Sequence, residues 1–176
     1  RPKVVWDLGS NTGRYSLIAA KHADHVIAMD QDANTMGILY RESQTRQANV
    51  LPLVVDILDP SPGRGWAQEE RAGLLQRGPA DMVLALALVH HLAISGNIPL
   101  SKIAFWLSRI ARTAIIEFVP KDDPALRRLL RWRQDIYTNY SQPSFESALR
   151  EHFQIIEQRL LPGSGRILYS IARKEV

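Results

Sequence analysis

Two strand-like segments near the end of the chain constrain its fold more than any other feature. Residues 153–160 and 166–172 both have the composition of strands, and only residues 161–165, with one Pro and two Gly, separate them. A parallel pair of strands needs a crossover of about a dozen residues or more. The two segments are therefore predicted to form an antiparallel hairpin.

The rest of the chain alternates short apolar runs with segments of helical periodicity. Strands are predicted at 4–8, 25–29, 50–55 (broken near its start by Pro52) and 114–119, and the apolar run 81–89 is predicted to begin as a strand. Helices are predicted at 14–22, 32–46, 66–77 and 101–111. Strands that alternate with helices are joined by crossovers, which predicts an α/β fold with a mostly parallel sheet covered on both faces. The closing hairpin distinguishes this architecture from an ordinary dinucleotide-binding domain, whose strands are all parallel.

The composition fits one globular domain over residues 1–176. The chain is 45% apolar, and its net charge of +4 is too diffuse to identify an anionic partner. It has no Cys, which excludes disulfides and thiolate metal sites and favours a cytoplasmic setting. No apolar run approaches the ~20 residues that span a bilayer, and no spacing of His or acidic residues predicts a metal site. Because the chain lacks an initiator Met, we expect it to be a fragment of a longer protein, with another domain N-terminal to it as a candidate partner, or a protein whose leading residues are not shown.

The segment from Asp7 to Gly13 joins the first strand to the first helix and is the first candidate for a ligand-binding loop. Ligands of doubly wound sheets bind beyond the carboxyl ends of the strands. Gly9 and Gly13 allow a tight turn and a close approach of the backbone. Asn11 and Arg14 stand where the dinucleotide fingerprint G-x-G-x-x-G needs its second and third Gly. The loop therefore suits a ligand other than a pyrophosphate, or is only a strand-to-helix turn.

Acidic residues also end the second and third strands. Asp30 can accept the hydrogen bonds of a ribose diol, although a helix cap is the alternative interpretation. Asp56 can accept a hydrogen bond from an adenine amino group while Ile57 packs on the ring, and its alternative is an ordinary loop acid. Acids at the ends of three successive strands are explained more simply together than separately.

These motifs resemble those of the class I S-adenosylmethionine-dependent methyltransferases. Residues 5–13 are similar to the first motif of that family, acid-x-Gly-x-Gly-x-Gly, with Asn11 at the position of the middle Gly. Residues 85–92 resemble its fourth motif, and the closing hairpin resembles the reversed last strand of its seven-stranded sheet. Residues 117–124 and the Arg-rich segment after them are similar to a nodulation-protein-like (NoeA-like) subfamily.

The resemblance implies a three-layer, Rossmann-like methyltransferase fold, with a mostly parallel seven-stranded sheet and an antiparallel C-terminal hairpin. It implies S-adenosylmethionine as the cofactor, with Asp7 at its cationic amino group, Asp30 at the ribose and Gln31 beside the adenine. The full predicted set of cofactor-binding residues is Asp7, Gly9, Ser10, Asn11, Gly13, Asp30, Gln31, Asp56, Ile57 and Ala87.

His90, His91 and Glu117 are the candidate catalytic residues. The two His follow the fourth strand, near where the transferable methyl group is expected, and either can act as general base for a hydroxyl or amine acceptor. A packed or capping His is the alternative for each. Glu117 lies in the fifth strand between apolar neighbours and is interpreted as a base, a substrate hydrogen-bond acceptor or a buried paired acid.

Residues 120–150 are predicted to form a helical insertion on the substrate side. Five apolar residues of 124–140 fall on one helical face: Leu126, Leu129, Leu130, Ile136 and Tyr137. The other side is either a solvated basic face or a surface for an anionic substrate or another domain, formed by Arg127, Arg131, Trp132 and Arg133. Nucleic acid is a less favoured partner, because these residues do not form an extended basic and aromatic array.

The sequence therefore predicts an enzyme that moves a methyl group from S-adenosylmethionine to an unidentified acceptor. The alternative is a non-catalytic cofactor-binding or interaction domain with the same fold. An NAD(P)-dependent dehydrogenase is the third candidate, and the missing Gly residues and the antiparallel tail disfavour it.

Overall fold

A computed structural model of the chain describes residues 1–131 and 134–175. The strands of this part are β1 (Val4–Leu8), β2 (His25–Asp30), β3 (Val50–Val54), β4 (Ala80–Ala85), β5 (Ala111–Phe118), β6 (Phe153–Leu160) and β7 (Ile167–Arg173). Its α-helices are α1 (Arg14–Ala19), α2 (Ala33–Thr45), α3 (Leu74–Arg77), α4 (Leu100–Ile110), α5 (Pro124–Leu130) and α6 (Gln142–His152), with a 3-10 turn at Trp66–Gln68 and a π-helical turn at His91–Ser95. None of these helices is long and apolar enough to cross a membrane.

The strands form one sheet in the order β3-β2-β1-β4-β5-β7-β6. β1 pairs in parallel with β2 and β4, and β2 pairs in parallel with β3. β7 is antiparallel to both of its neighbours, with Tyr169 opposite Ile116 of β5 and Ile171 opposite Ile155 of β6. The predicted α/β architecture, mostly parallel and closed by an antiparallel hairpin, is confirmed.

The chain divides into two compact units. The first consists of Arg1–Leu84 and Arg109–Arg112, and the second of Ala85–Ser108 and Thr113–Val176. The first unit carries all of the predicted cofactor-binding residues except Ala87. The second carries the candidate catalytic residues.

In the first unit, α2 forms where a capping residue precedes a regular buried face. The Asp32 carboxylate accepts a hydrogen bond from the N–H of Asn34 at 2.8 Å, which satisfies one of the free donors at the helix start. Met36, Leu39 and Ser43 follow at spacings of three and four residues and are buried. α2 packs against β2 and β3.

β3 continues through Pro52, so the predicted break in this strand is wrong. Pro52 lies opposite Ala28 in the pairing of β2 with β3. Because β3 is the last strand at its end of the sheet, it needs hydrogen-bond partners on one side only. A Pro, which lacks an N–H, is tolerated in such an edge strand.

The helix predicted at 66–77 is also wrong, because only a 3-10 turn and the four-residue helix α3 form there. Ala67 and Gln68 have φ angles of 53° and 62°, which a right-handed α-helix does not allow. Trp66 is 86% exposed, so the segment lacks the buried apolar face that stabilises most helices in proteins.

An aromatic cluster fills the interior of the second unit. The ring of Phe118 stacks on Tyr140 at a centroid distance of 5.3 Å and contacts Phe145 at 5.2 Å. Phe145 in turn meets Tyr169 edge-on at 5.4 Å. All four side chains are buried, and they join β5, β7, α6 and the loop before α6.

The helix predicted over 124–140 is shorter than expected. α5 covers only its first seven residues. Farther on, the Asp135 carboxylate accepts a hydrogen bond from the N–H of Tyr137 at 3.1 Å, a turn that competes with helix formation. Trp132 and Arg133, which the prediction also used, lie outside the described residues. The predicted helical insertion thus contains two separate helices, α5 and α6.

Candidate functional site

The loop after β1 has a left-handed backbone at three alternate residues. The φ angle is 69° at Gly9, 50° at Asn11 and 78° at Gly13. Asn is one of the few residues other than Gly that adopt this conformation readily. Asn11 therefore gives the loop the backbone course that a middle Gly would allow. The N–H groups of Gly9 and Ser10 both bond to the carbonyl of Met29, at 2.8 and 3.1 Å, and so attach the loop to β2.

The carboxylate of Asp30 joins this loop to the start of α2. Its Oδ2 accepts a hydrogen bond from the N–H of Asn11 at 2.8 Å, and its Oδ1 accepts one from the N–H of Asp32 at 3.0 Å. Asp30 is half-buried, and each of its oxygens has a second lone pair. The side chain can therefore organise the loop and still accept hydrogen bonds from a ligand.

Asp7 is a buried carboxyl group in β1. Its side chain is 3% exposed, and its Oδ2 accepts a hydrogen bond from the hydroxyl of Ser16 at 2.5 Å. Burial raises the pKa of Asp7 to about 6; the Ser16 hydrogen bond opposes this shift and the charge of Asp30 adds to it. The chain thus keeps an acid where its charged form is disfavoured, an arrangement common at functional sites.

The other predicted cofactor-binding residues of the first unit lie after β2 and β3 and in the loop itself. Gln31 and Asp56 are exposed, Ile57 is half-buried and Ser10 is buried. Oδ1 of Asp56 accepts a hydrogen bond from the N–H of Leu58 at 2.8 Å, so this side chain shapes its own turn. The adenine contacts of Asp56, Ile57 and Gln31 stay predictions.

In the second unit, Ala87 and Glu117 are held together. Ala87 follows β4 with a φ angle of 49°, and its N–H donates to Oε2 of Glu117 at 2.7 Å. The other oxygen of Glu117 accepts a hydrogen bond from Nη1 of Arg166 at 3.2 Å, and Glu117 is buried. Because Glu117 is buried and one of its oxygens faces a cation, this geometry favours a buried paired acid over a general base.

His90 and His91 lie side by side after β4, with ring centroids 4.2 Å apart. His90 is 2% exposed, and within residues 1–131 and 134–175 its Nδ1 has no hydrogen-bond partner. Burial, and to a smaller extent the charges of His91 and Arg166, lowers the pKa of His90 to about 4. Burial also lowers the pKa of His91. Both rings are therefore neutral at pH 7, and His90 is a weaker base than an ordinary imidazole.

Comparison with known proteins identifies this architecture. No family model matches the chain. The chain is 42% identical to nodulation protein NoeA of Rhizobium meliloti (strain 1021) over 176 residues, 99% of the chain, and spans 37% of the length of that relative. The structure of N-methyltransferase NodS from Bradyrhizobium japonicum WM9 with S-adenosylhomocysteine covers 99% of the chain and 79% of NodS, with a TM-score of 0.71 and 12% identity. Magnesium protoporphyrin IX methyltransferase (ChlM) from Synechocystis PCC 6803 with the same bound molecule covers 98% of the chain and 74% of ChlM, with a TM-score of 0.67 and 17% identity.

The chain has the class I methyltransferase fold. Its resemblance to class I methyltransferases and to NoeA, predicted from the sequence, is confirmed.

Three residues with clear structural roles near these motifs were not predicted from the sequence. Ser16, which donates a hydrogen bond to Asp7, is a small polar residue on the buried face of α1. A helical projection of the sequence could have placed Ser16 on that face. Nε and Nη2 of Arg166 donate to the two carboxylate oxygens of Asp123 at 2.7 and 3.1 Å. This pair has no local signal, because its members are 43 positions apart. Within the described part of the chain, no three His or acidic side chains form a group that could hold a metal ion.

Proposed function

We propose that the chain binds S-adenosylmethionine through its first unit and transfers the methyl group of that cofactor to an acceptor. The observation that carries this proposal is the buried carboxyl group of Asp7, whose pKa burial raises to about 6. It lies near the end of β1, before a left-handed loop, and Asp30 holds that loop by accepting the N–H of Asn11. NodS and ChlM, which share the fold, have S-adenosylhomocysteine bound in their structures. That molecule is what S-adenosylmethionine becomes when its methyl group is lost.

The residues of the first unit fit this cofactor by their chemistry. S-adenosylmethionine carries an ammonium group and a ribose diol and has no phosphate. Asp7 would hold the ammonium group, since a buried carboxylate gains most from a cationic partner. Asp30 would hold the diol through its remaining lone pairs. A dinucleotide fits less well, because Asn11 and Arg14 replace two Gly of its fingerprint.

When bound, S-adenosylmethionine supplies a methyl group on a positively charged sulfur. The chain itself must then align the acceptor with that group and exclude water. A hydroxyl or amine acceptor also loses a proton, and His90 and His91, both neutral at pH 7, are the side chains proposed to take it. The name of ChlM gives magnesium protoporphyrin IX as its acceptor and that of NodS gives only N-methyl transfer, so the shared fold leaves the acceptor of this chain open.

Calorimetric titration with S-adenosylhomocysteine tests the cofactor assignment directly, and NAD serves as the matched control ligand. We expect S-adenosylhomocysteine to bind with a dissociation constant in the micromolar range and NAD to give no heat. Binding of NAD, or no binding of S-adenosylhomocysteine by a folded sample, would contradict the proposal.

Replacing Asp30 by Ala should weaken S-adenosylhomocysteine binding by roughly 1–3 kcal/mol, the cost of losing a charged hydrogen-bond acceptor. The substitution also removes the acceptor for the Asn11 N–H, which adds to the loss. Calorimetry on the folded variant measures the change. Asp24→Ala, at the opposite end of β2, is the control and should bind as the unmodified chain does. A folded Asp30→Ala variant with unchanged affinity would rule out the ribose role.

Replacing His90 by Gln should preserve S-adenosylhomocysteine affinity and lower the rate of methyl transfer by about 10²-fold or more, the usual contribution of a general base. Gln is preferred to Ala because His90 is buried and Ala would leave a cavity. The rate is measured with the full-length protein as formation of S-adenosylhomocysteine in the presence of candidate acceptors. His152→Gln, on α6, is the control. Full activity in the His90 variant would exclude His90 as the base.

A non-catalytic cofactor-binding or interaction domain is the second candidate, and the lowered pKa of His90 together with the ion pair between Glu117 and Arg166 favours it. Relatives of the chain also contain more than this region, since the chain spans 37% of NoeA. Other parts of a longer protein are therefore proposed to complete the acceptor pocket. Binding of S-adenosylhomocysteine without methyl transfer by the full-length protein, across the acceptor classes tried, would support the non-catalytic candidate.

A further inference from the structure

The guanidinium group of Arg166 connects three segments of the second unit that are far apart in the sequence. Arg166 directly precedes β7. It donates two hydrogen bonds to Asp123, at 2.7 and 3.1 Å, and one to Glu117 at the end of β5, at 3.2 Å. Glu117 passes the connection on to the segment after β4, because its second oxygen accepts the N–H of Ala87 at 2.7 Å.

The segment after β4 depends on this connection because its backbone is strained. Ala87 has a φ angle of 49°, a left-handed conformation that is unfavourable for a residue with a Cβ. The hydrogen bond from Ala87 to Glu117 offsets that cost. His90 and His91 follow within four residues, so the direction of this turn determines where both imidazoles lie.

The start of α5 depends on the same guanidinium group. Asp123 is the N-cap of α5, and its Oδ1 accepts the N–H of Ala125 at 2.7 Å. The Arg166 hydrogen bonds hold the pKa of Asp123 below its usual range. Arg166 thus keeps the cap ionised and fixes its orientation, which sets the direction in which α5 leaves the sheet.

Burial makes this arrangement costly to break. Glu117 and Asp123 are both buried, and one guanidinium group, partly exposed, faces both of them. The three charges sum to −1, so loss of Arg166 would leave two buried carboxylates without a cation. Lys cannot replace it, because an ammonium group cannot form the two-point contact with Asp123 and reach Glu117 at the same time.

We propose that Arg166 is a positioning residue of the methyl-transfer site: through Glu117 it holds the turn that carries His90 and His91, and through Asp123 it holds the start of α5. This inference rests on the proposed function, because only methyl transfer gives the positioning of His90 and His91 a catalytic purpose. Its physical content does not depend on any ligand: Arg166 protects the amide of Ala87, 79 positions away in the sequence, and keeps the imidazole of His90 in place.

Amide hydrogen exchange at Ala87, followed by NMR, tests the inference with Arg166→Lys. We expect the protection of the Ala87 amide to fall about tenfold relative to that of the Ile171 amide in β7, since one charge-assisted hydrogen bond is lost. In the same variant the side-chain NMR signals of His90 should shift, because the turn that carries this ring is held less firmly. A purely structural role would reduce protection at Ala87 and Ile171 equally and leave the His90 signals where they were.

Two further variants keep the test decisive. Arg159→Gln removes an exposed Arg of the same hairpin, and should change neither the Ala87 protection nor the His90 signals.

Glu117→Gln removes one buried charge and is used if Arg166→Lys does not fold. It should lower the protection of the Ala87 amide relative to that of Ile171 at least threefold, since a neutral acceptor binds the N–H more weakly. Unchanged Ala87 protection in the folded variants would overturn the inference. Failure of the unmodified chain to bind S-adenosylhomocysteine would instead contradict the proposed function, and the exchange experiment needs no ligand.

Discussion

Substitution of Gly13 by Ala is expected to destabilise the chain by roughly 2–5 kcal/mol and to abolish binding of S-adenosylhomocysteine. Gly13 has a φ angle of 78°, which costs a residue with a Cβ about 1–2 kcal/mol. A Cβ at Gly13 would also lie 2.2 Å from Cδ1 of Leu39. Leu39 is fully buried in the middle of α2 and has little room to move, so overpacking adds roughly 1–3 kcal/mol. Urea denaturation measures the loss, and calorimetry measures binding.

Gly163 provides a matched control for this substitution. Its φ angle of 73° is close to that of Gly13, but a Cβ at Gly163 would meet no atom within 4 Å. Gly163→Ala should therefore lower the free energy of unfolding only by the cost of the positive φ angle, about 1–2 kcal/mol. It should leave S-adenosylhomocysteine binding unchanged. Equal losses in the two variants would show that the contact between the loop and α2 is not as tight as the structure indicates.

The fold was predictable because its main features are local. Each predicted strand of the sheet begins or ends within a few residues of the observed one, and the five-residue link 161–165 fixed the antiparallel direction of the last pair. The helix predicted at 66–77 failed because periodicity alone does not show whether an apolar face finds a partner. Trp66 finds none among the described residues and is exposed. Pro52 was misjudged because the position of β3 at an edge is a property of the whole sheet.

The candidate site was predictable only in part. Asp7, Gly9, Gly13 and Asp30 lie close together in the sequence, and their residue types alone indicate the ligand-binding loop after β1. The Asn residue type permits the left-handed backbone of Asn11, but the hydrogen bond from its N–H to Asp30 joins residues 19 positions apart and gives no local signal. The pairing of Glu117 and Asp123 with Arg166 joins residues 49 and 43 positions apart. Only the folded chain brings such residues together.

Asp7→Asn is expected to raise the free energy of unfolding at pH 7.5 by roughly 1–3 kcal/mol. The pKa of Asp7 is about 6 in the folded chain, against a usual value of 3.8. Between these values the folded chain binds more protons than the unfolded chain, so its stability falls as the pH rises from about 4 to about 6. A difference of two pKa units corresponds to roughly 3 kcal/mol. Asn has nearly the same shape and can still accept the Ser16 hydrogen bond, so the variant avoids this loss.

Urea denaturation between pH 4 and 8 measures this effect. The unmodified chain should lose stability from Asp7 over pH 4–6, and this contribution should be absent in Asp7→Asn. Asp59→Asn, which removes an exposed acid from the same unit, is the control and should keep the pH dependence of the unmodified chain. A variant Asp7→Asn that is less stable than the unmodified chain at pH 7.5 would show that the buried charge is stabilised by contacts stronger than the Ser16 hydrogen bond.

The same substitution should weaken S-adenosylhomocysteine binding about tenfold or more, because a charged hydrogen bond to the ammonium group of the ligand is lost. Binding requires the ionised carboxylate, so the affinity of the unmodified chain should rise as the pH increases through about 6, while that of Asp7→Asn should not change over this range. If Asp7 had only a structural role, Asp7→Asn would make the chain more stable without weakening S-adenosylhomocysteine binding. Greater stability together with weaker, pH-independent binding is expected only if the chain keeps a destabilised carboxylate in β1 because the cofactor needs it.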